Sequence, residues 1–98
     1  MLKHIVMWKI KEEVADKEAV KKRIKESLER LPGIIPQLYS AKVIENPQKS
    51  STHDIALISE VKNEEDLKLY AEHPAHVEVA KNEIKPFACE RVCLDYYE

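Results

Sequence analysis

A single glycine stands in the 98 residues of this chain. Phosphate-cradling loops, hairpin-rich barrels and collagen-like repeats all draw on glycine's freedom at positive φ, so the sequence argues against each of them. Cysteine is scarce as well, with Cys89 and Cys93 the only two. On one strand they would stand roughly 13 Å apart, beyond the reach of a disulfide. Two cysteines complete neither a disulfide framework nor a four-ligand zinc knuckle. Positive charge is not in excess: 16 Lys and Arg face 18 Asp and Glu, for a net charge of −2. No nucleic-acid partner is therefore expected. No apolar run reaches transmembrane length, and Met1–Ile10 is too broken by Lys3, His4 and Lys9 to act as a secretory leader. The expectation is a cytoplasmic protein with no membrane partner.

What is present is ordinary for a globular domain. Apolar residues make up 44% of the chain, and the length fits one domain over residues 1–98. Leu2–Ile10 alternates as a strand, with Leu2, His4, Val6, Trp8 and Ile10 on one face. Asp16 caps a helix expected to run to about Leu31, with Val20, Ile24, Leu28 and Leu31 as its apolar stripe. Glu18 with Lys22 and Glu26 with Arg30 are spaced for ion pairs on its wet side. Pro32-Gly33 ends the helix. Leu38–Glu45 reads as a second strand and Thr52–Val61 as a third, joined by a polar turn over Asn46–Ser51. Asn63 caps a second helix whose buried stripe includes Leu67, Tyr70 and Ala71. Pro74 breaks it, placing His73 at the cap of a restarted segment that carries Val77, Ala80 and Ile84. Ala88–Tyr97 is the last strand.

The order is β-α-β-β-α-β. It specifies a ferredoxin-like α+β sandwich, a four-stranded antiparallel sheet with its helices on one face. The strands are nevertheless apolar on both sides. Ile5, Met7, Ala56 and Ile58 lie opposite the face that the helices cover, and the last strand sets Val92, Leu94 and Tyr96 on one side, Cys89 and Cys93 on the other. An antiparallel sheet with one wet face should be polar there, so a homodimer packed through these sheets is expected.

The candidate chemistry lies in the histidines. Parity puts His4 with Val6 and Trp8, and His53 with Ile55 and Leu57, so both are expected in the layer under the helices. The first turn after Pro74 favours neutral imidazole at His76, the form a general base requires. Tyr70 follows the buried helical stripe and can donate to a developing oxyanion. Asp95 on the last strand is expected to orient His76. His4, His53, Tyr70 and His76 are thus expected to converge on one cavity, with Asp95 against His76. Each of these side chains also has a plain structural role open to it. His73 and His76 are three residues apart, but no His-Glu-x-x-His run or paired cysteine motif accompanies them. No metal and no cofactor are expected.

Several words of the sequence resemble one family. Leu2-Lys3-His4-Ile5-Val6-Met7-Trp8-Lys9, Leu31-Pro32-Gly33-Ile34, Ser51-Thr52-His53-Asp54, Tyr70-Ala71-Glu72-His73-Pro74-Ala75-His76 and Val92-Cys93-Leu94-Asp95-Tyr96 are similar to the stress-responsive A/B barrel, or Dabb, family, over essentially the whole chain. The resemblance implies a dimeric α+β barrel. Some plant members, the olivetolic acid cyclases, close polyketide chains by aldol chemistry without a cofactor. Under that resemblance His76 is the base, Asp95 its orienting partner and Tyr70 the donor to a substrate carbonyl, with His4 and His53 also matched. Ile24 and Leu28 stand where an aromatic pocket wall would be expected. Three classes of function fit: a cyclase- or lyase-type enzyme acting on a small molecule, a non-catalytic ligand-binding or stress-related barrel, and a structural dimer whose histidines only pack.

Overall fold

A computed structural model describes residues 1–98. β1 (Leu2–Ile10) alternates as its sequence requires, burying Leu2, Val6, Trp8 and Ile10 and sending Lys3, Ile5, Met7 and Lys9 to the other side. α1 (Lys17–Glu29) begins where Asp16 accepts the Ala19 N–H at 3.0 Å, and its stripe of Val20, Ile24 and Leu28 is buried. It ends two residues before Leu31. Pro32 cannot supply the next helical N–H, so Leu31–Gly33 tightens into a 3₁₀ turn that still buries Leu31.

The expected pairs Glu18–Lys22 and Glu26–Arg30 do not form. Glu18 instead meets Lys21 at 3.0 Å, and Lys25 meets Glu29 at 2.8 Å. The second pair is drawn to the neighbouring strand. Lys25 Nζ donates to the Val43 carbonyl at 3.1 Å, and Val43 N–H donates to Glu29 Oε2 at 2.8 Å. Burial alone would raise the Glu29 pKa, but the hydrogen bonds it accepts from Lys25 and the Val43 N–H, with the Lys25 and Lys42 charges, outweigh it and hold the carboxyl below its ordinary value.

β2 (Leu38–Ile44) and β3 (Ile55–Val61) follow. β3 starts three residues later than expected because Asp54 is used differently. Its N–H bonds the Trp8 carbonyl at 2.9 Å while its carboxylate accepts the Ile10 N–H at 2.8 Å. α2 (Glu64–Glu72) is capped by Asn63, and α3 (Pro74–Val79) by His73, whose ring accepts the Ala75 N–H at 3.1 Å. One π-helical turn, Ala80–Ile84, leads to β4 (Ala88–Tyr97). No helix is long and apolar enough to cross a membrane.

The sheet order is β2-β3-β1-β4, antiparallel throughout, with the helices over one face. Sixteen buried residues form a single core between the layers. The helices cover β2, β3 and β1 but leave most of β4 bare, and every residue from Glu90 onward is exposed. On the far face Met7, Val92, Leu94 and Tyr96 are exposed, with Ile5, Ile44 and Ile58 half-buried among them.

β4 also carries a bulge. Met7 pairs with Val92 and Lys9 with Cys89, so Trp8 alone opposes both Glu90 and Arg91. Glu90 takes the left-handed conformation this needs, at φ 51°, without being glycine. The extra residue changes the phase of the strand. Cys93 stands opposite Val6 and Cys89 opposite Lys9, on different faces of the sheet, not on the shared face that strict alternation would give. Both are free thiols.

Candidate functional site

The site is built on one row across the sheet. His4 on β1 lies directly opposite Ser59 on β3 and Asp95 on β4. Directly opposed residues share a face, so all three point into the helical layer. His4 Nδ1 donates to Asp95 Oδ1 at 2.5 Å. Cys93, two residues from Asp95 on the same face, lies 3.6 Å from that carboxylate oxygen and 3.7 Å from His4 Nδ1. Burial, reinforced by the Asp95 charge, pushes the Cys93 pKa up and keeps it a thiol.

Above this row sits Tyr70 of α2, fully buried. Its ring meets His4 edge-on at 6.4 Å and His76 at 4.7 Å. The Tyr70 and Ser59 hydroxyls lie close enough for Ser59 to act on the phenol, yet neither completes a hydrogen bond. Burial raises the Tyr70 pKa, and the neighbouring Ser59 eases the rise.

His76 stands in the first turn of α3, restarted by Pro74. Its Nδ1 lies 3.0 Å from the Ala71 carbonyl. A carbonyl only accepts, so Nδ1 carries the proton and Nε2 is left as the free lone pair of the neutral ring. Burial depresses the His76 pKa. The Ala71 carbonyl works against that, while the His4 and Arg91 charges add to it.

Both imidazoles line a cavity of about 630 Å³ between α3, the π-helical turn, β1 and β4, where the helical layer stops short of β4. Val6, Trp8, Leu28 and Leu57 make its apolar floor. Lys81, Lys85 and Arg91 are exposed and form its mouth. The volume and the mixed lining suit a small molecule.

The structure therefore brings together His4, Tyr70, His76 and Asp95, with two differences from the expected arrangement. Asp95 orients His4 rather than His76, because the register sets it directly across from His4. Tyr70 does not line the cavity; it is sealed beneath the two imidazoles. His53 does not join them at all. It precedes β3, six residues from Ser59 and therefore at the opposite end of the strand, where its Nδ1 lies 2.8 Å from Thr52 Oγ1. Parity along a strand does not measure distance along it, and His53 lies outside the strand altogether.

Ser59, Cys93 and Arg91 are the site residues that sequence reasoning missed. Ser59 interrupts the apolar run Ile55, Leu57, Val61, and Cys93 is two residues from Asp95, so a signal existed for both. Arg91 owes its place to the bulge, which leaves no such signal. His4 Nδ1, Cys93 Sγ and an Asp95 oxygen also lie within 4.8 Å of one another, a donor set able to hold a zinc-like ion. Such an ion would take the same Nδ1 that now bonds Asp95, so the ion and the dyad exclude each other.

A ferredoxin-like sandwich with two imidazoles on a cavity beside its edge strand defines the class. The family model for the stress-responsive A/B barrel domain matches residues 2–98, and the chain belongs to that family. Among solved structures it is similar to a dimeric protein of unknown function with a ferredoxin-like fold from Bacteroides fragilis (37% identity, 97% of this chain and 93% of that one, TM-score 0.87). It also resembles a dimeric ferredoxin-like protein from Thermobifida fusca (21% identity, 97% and 88% covered, TM-score 0.80). A third likeness is to the hydroxynitrile lyase of Passiflora edulis (22% identity, 97% and 90% covered, TM-score 0.78). No curated protein matches the sequence at a significant level.

Proposed function

We propose that this chain is a cofactor-independent acid–base enzyme of the cyclase or lyase type, acting on a small molecule held between the sheet and α3. One observation carries the reading: His76 is held neutral on the cavity wall, with Nδ1–H tied to the Ala71 carbonyl and Nε2 free. A ring fixed in that tautomer is ready to take a proton from an acidic C–H or O–H. His4 stands on the same cavity, its Nδ1–H fixed on Asp95. It is the second proton carrier, able to accept at Nε2 and share the resulting charge with the carboxylate. Tyr70 is a positioning residue between them. A lyase on the same fold supports the class, since cleaving a cyanohydrin and closing an aldol both need one proton taken and one returned.

We further infer that it works as a homodimer in the cytoplasm. The apolar far face of the sheet needs cover, and the 37% identical relative is described as dimeric. The free thiols of Cys89 and Cys93 suit a reducing compartment.

The test is hydrogen–deuterium exchange of the methyl group of acetophenone in neutral D₂O, followed by NMR. The protein should accelerate exchange over buffer. His76→Ala should abolish the acceleration with the fold retained, and His4→Ala should reduce it. Mandelonitrile cleavage to benzaldehyde is the parallel assay for lyase chemistry. A protein that binds such ligands but accelerates neither reaction is the non-catalytic barrel.

A further inference from the structure

We propose that the cavity selects ligands with an apolar body and one carboxylate-like anionic group, held at the mouth by Arg91 and Lys85 with Lys81 beside them. The proposal rests on reading the cavity as a small-molecule site and names the chemistry of what enters it.

The mouth is cationic and its charges are unspent. Arg91, Lys85 and Lys81 all line the opening and are exposed. None of them takes part in any ion pair of the chain. The nearby carboxylates are engaged elsewhere. Glu83, in the same turn as Lys81, is gripped by Arg23 at 2.7 and 2.9 Å. Glu90, the one acidic residue of the lining, faces Lys9 at 3.9 Å. Three free cations therefore converge on an opening whose floor is Trp8, Val6, Leu28 and Leu57. Such a mouth attracts an anion and such a floor attracts hydrocarbon, so one molecule carrying both satisfies the whole site.

The bulge sharpens the selection. By setting Glu90 and Arg91 together against Trp8, it brings Arg91 into the same cavity lining as Trp8. Arg91 also stands near enough to His76 and Cys93 for its charge to act on both. A carboxylate on Arg91 would thus anchor a ligand whose body lies along Trp8 and reaches the imidazoles. The planar, always-charged fork of arginine pairs with carboxylates in two parallel hydrogen bonds, which fixes orientation as well as affinity.

The chain carries its own reporter, since Trp8 is its single tryptophan. Trp8 fluorescence of the intact protein is titrated with octanoate and, separately, with 1-octanol, which shares the hydrocarbon body without the charge. Octanoate should bind about tenfold more tightly at low ionic strength. The preference should shrink as salt rises from roughly 0.02 M to 0.5 M. The double variant Lys85→Gln/Arg91→Gln should bring the two affinities together by weakening octanoate alone. Both side chains are exposed, so the variant keeps its fold, checked by its melting temperature. Equal affinities in the native chain, or a preference that survives the double variant, would overturn the proposal while leaving the cavity as a binding site. If neither ligand perturbs Trp8, the small-molecule reading falls with it.

Discussion

His4 and Asp95 are joined across adjacent strands by a hydrogen bond of 2.5 Å, although 91 residues separate them in the chain. The pairing follows from register alone, because the two residues are direct partners in the β1–β4 ladder. It fixes which nitrogen of His4 carries the proton. Replacing the carboxylate by Asp95→Ala should release Nδ1–H and move the ring toward the Nε2–H tautomer. The imidazole ¹⁵N shifts of His4 should report the change, with the fold intact because Asp95 is exposed. Unchanged shifts would mean that the carboxylate does not set the tautomer.

His76 should titrate below the ordinary 6.5 in the folded protein, since burial disfavours its charged form. The sign of the stability effect follows. Between the depressed folded pKa and 6.5 the unfolded chain binds more protons than the native one, so stability rises with pH through that window. The contribution is present in full above 6.5 and is lost as pH falls through the folded value. Urea melts at several pH values should show this slope, and His76→Gln should flatten it. A slope that survives the substitution belongs to another group.

Tyr70→Phe should cost no stability and should raise it by up to ~1 kcal/mol. A buried hydroxyl without a partner is a penalty, and removing it leaves the ring contacts with His4 and His76 in place. Thermal melts decide the point. A loss of 1 kcal/mol or more would show that the hydroxyl is satisfied in solution, by water or by Ser59.

Ile58 lies at the centre of the exposed sheet face, opposite Ile5 and Lys42. Light scattering of the native chain at micromolar concentration should give twice the monomer mass. Ile58→Glu should shift it toward monomer and lower the melting temperature, because a charge would be buried in the contact. A native monomer, or a dimer indifferent to Ile58→Glu, would exclude this face as the interface.

Periodicity made most of this architecture legible. The alternation of Leu2, Val6 and Trp8, the stripe of Val20, Ile24 and Leu28, and the Pro74 break with His73 as cap each follow from local physics. Pairing register is a non-local property and leaves no local trace, which is why parity alone groups His53 with residues near the far end of β3 and cannot tell that Asp95 faces His4 rather than His76. The bulge was invisible for a sharper reason. Its left-handed position is filled by Glu90, and a glutamate gives no hint of positive φ where glycine would have. The cation at the cavity wall was hidden with it.

β4 is an edge strand, hydrogen-bonded within the chain only to β1, yet it supplies Asp95, Cys93 and Arg91. Fraying of this last strand and loss of the site are therefore one event. By mass action, anything that occupies the cavity holds the strand down. Amide exchange along residues 91–97 should slow with ligand concentration far more than exchange in α1, so the C-terminal strand serves as the protein's occupancy gauge.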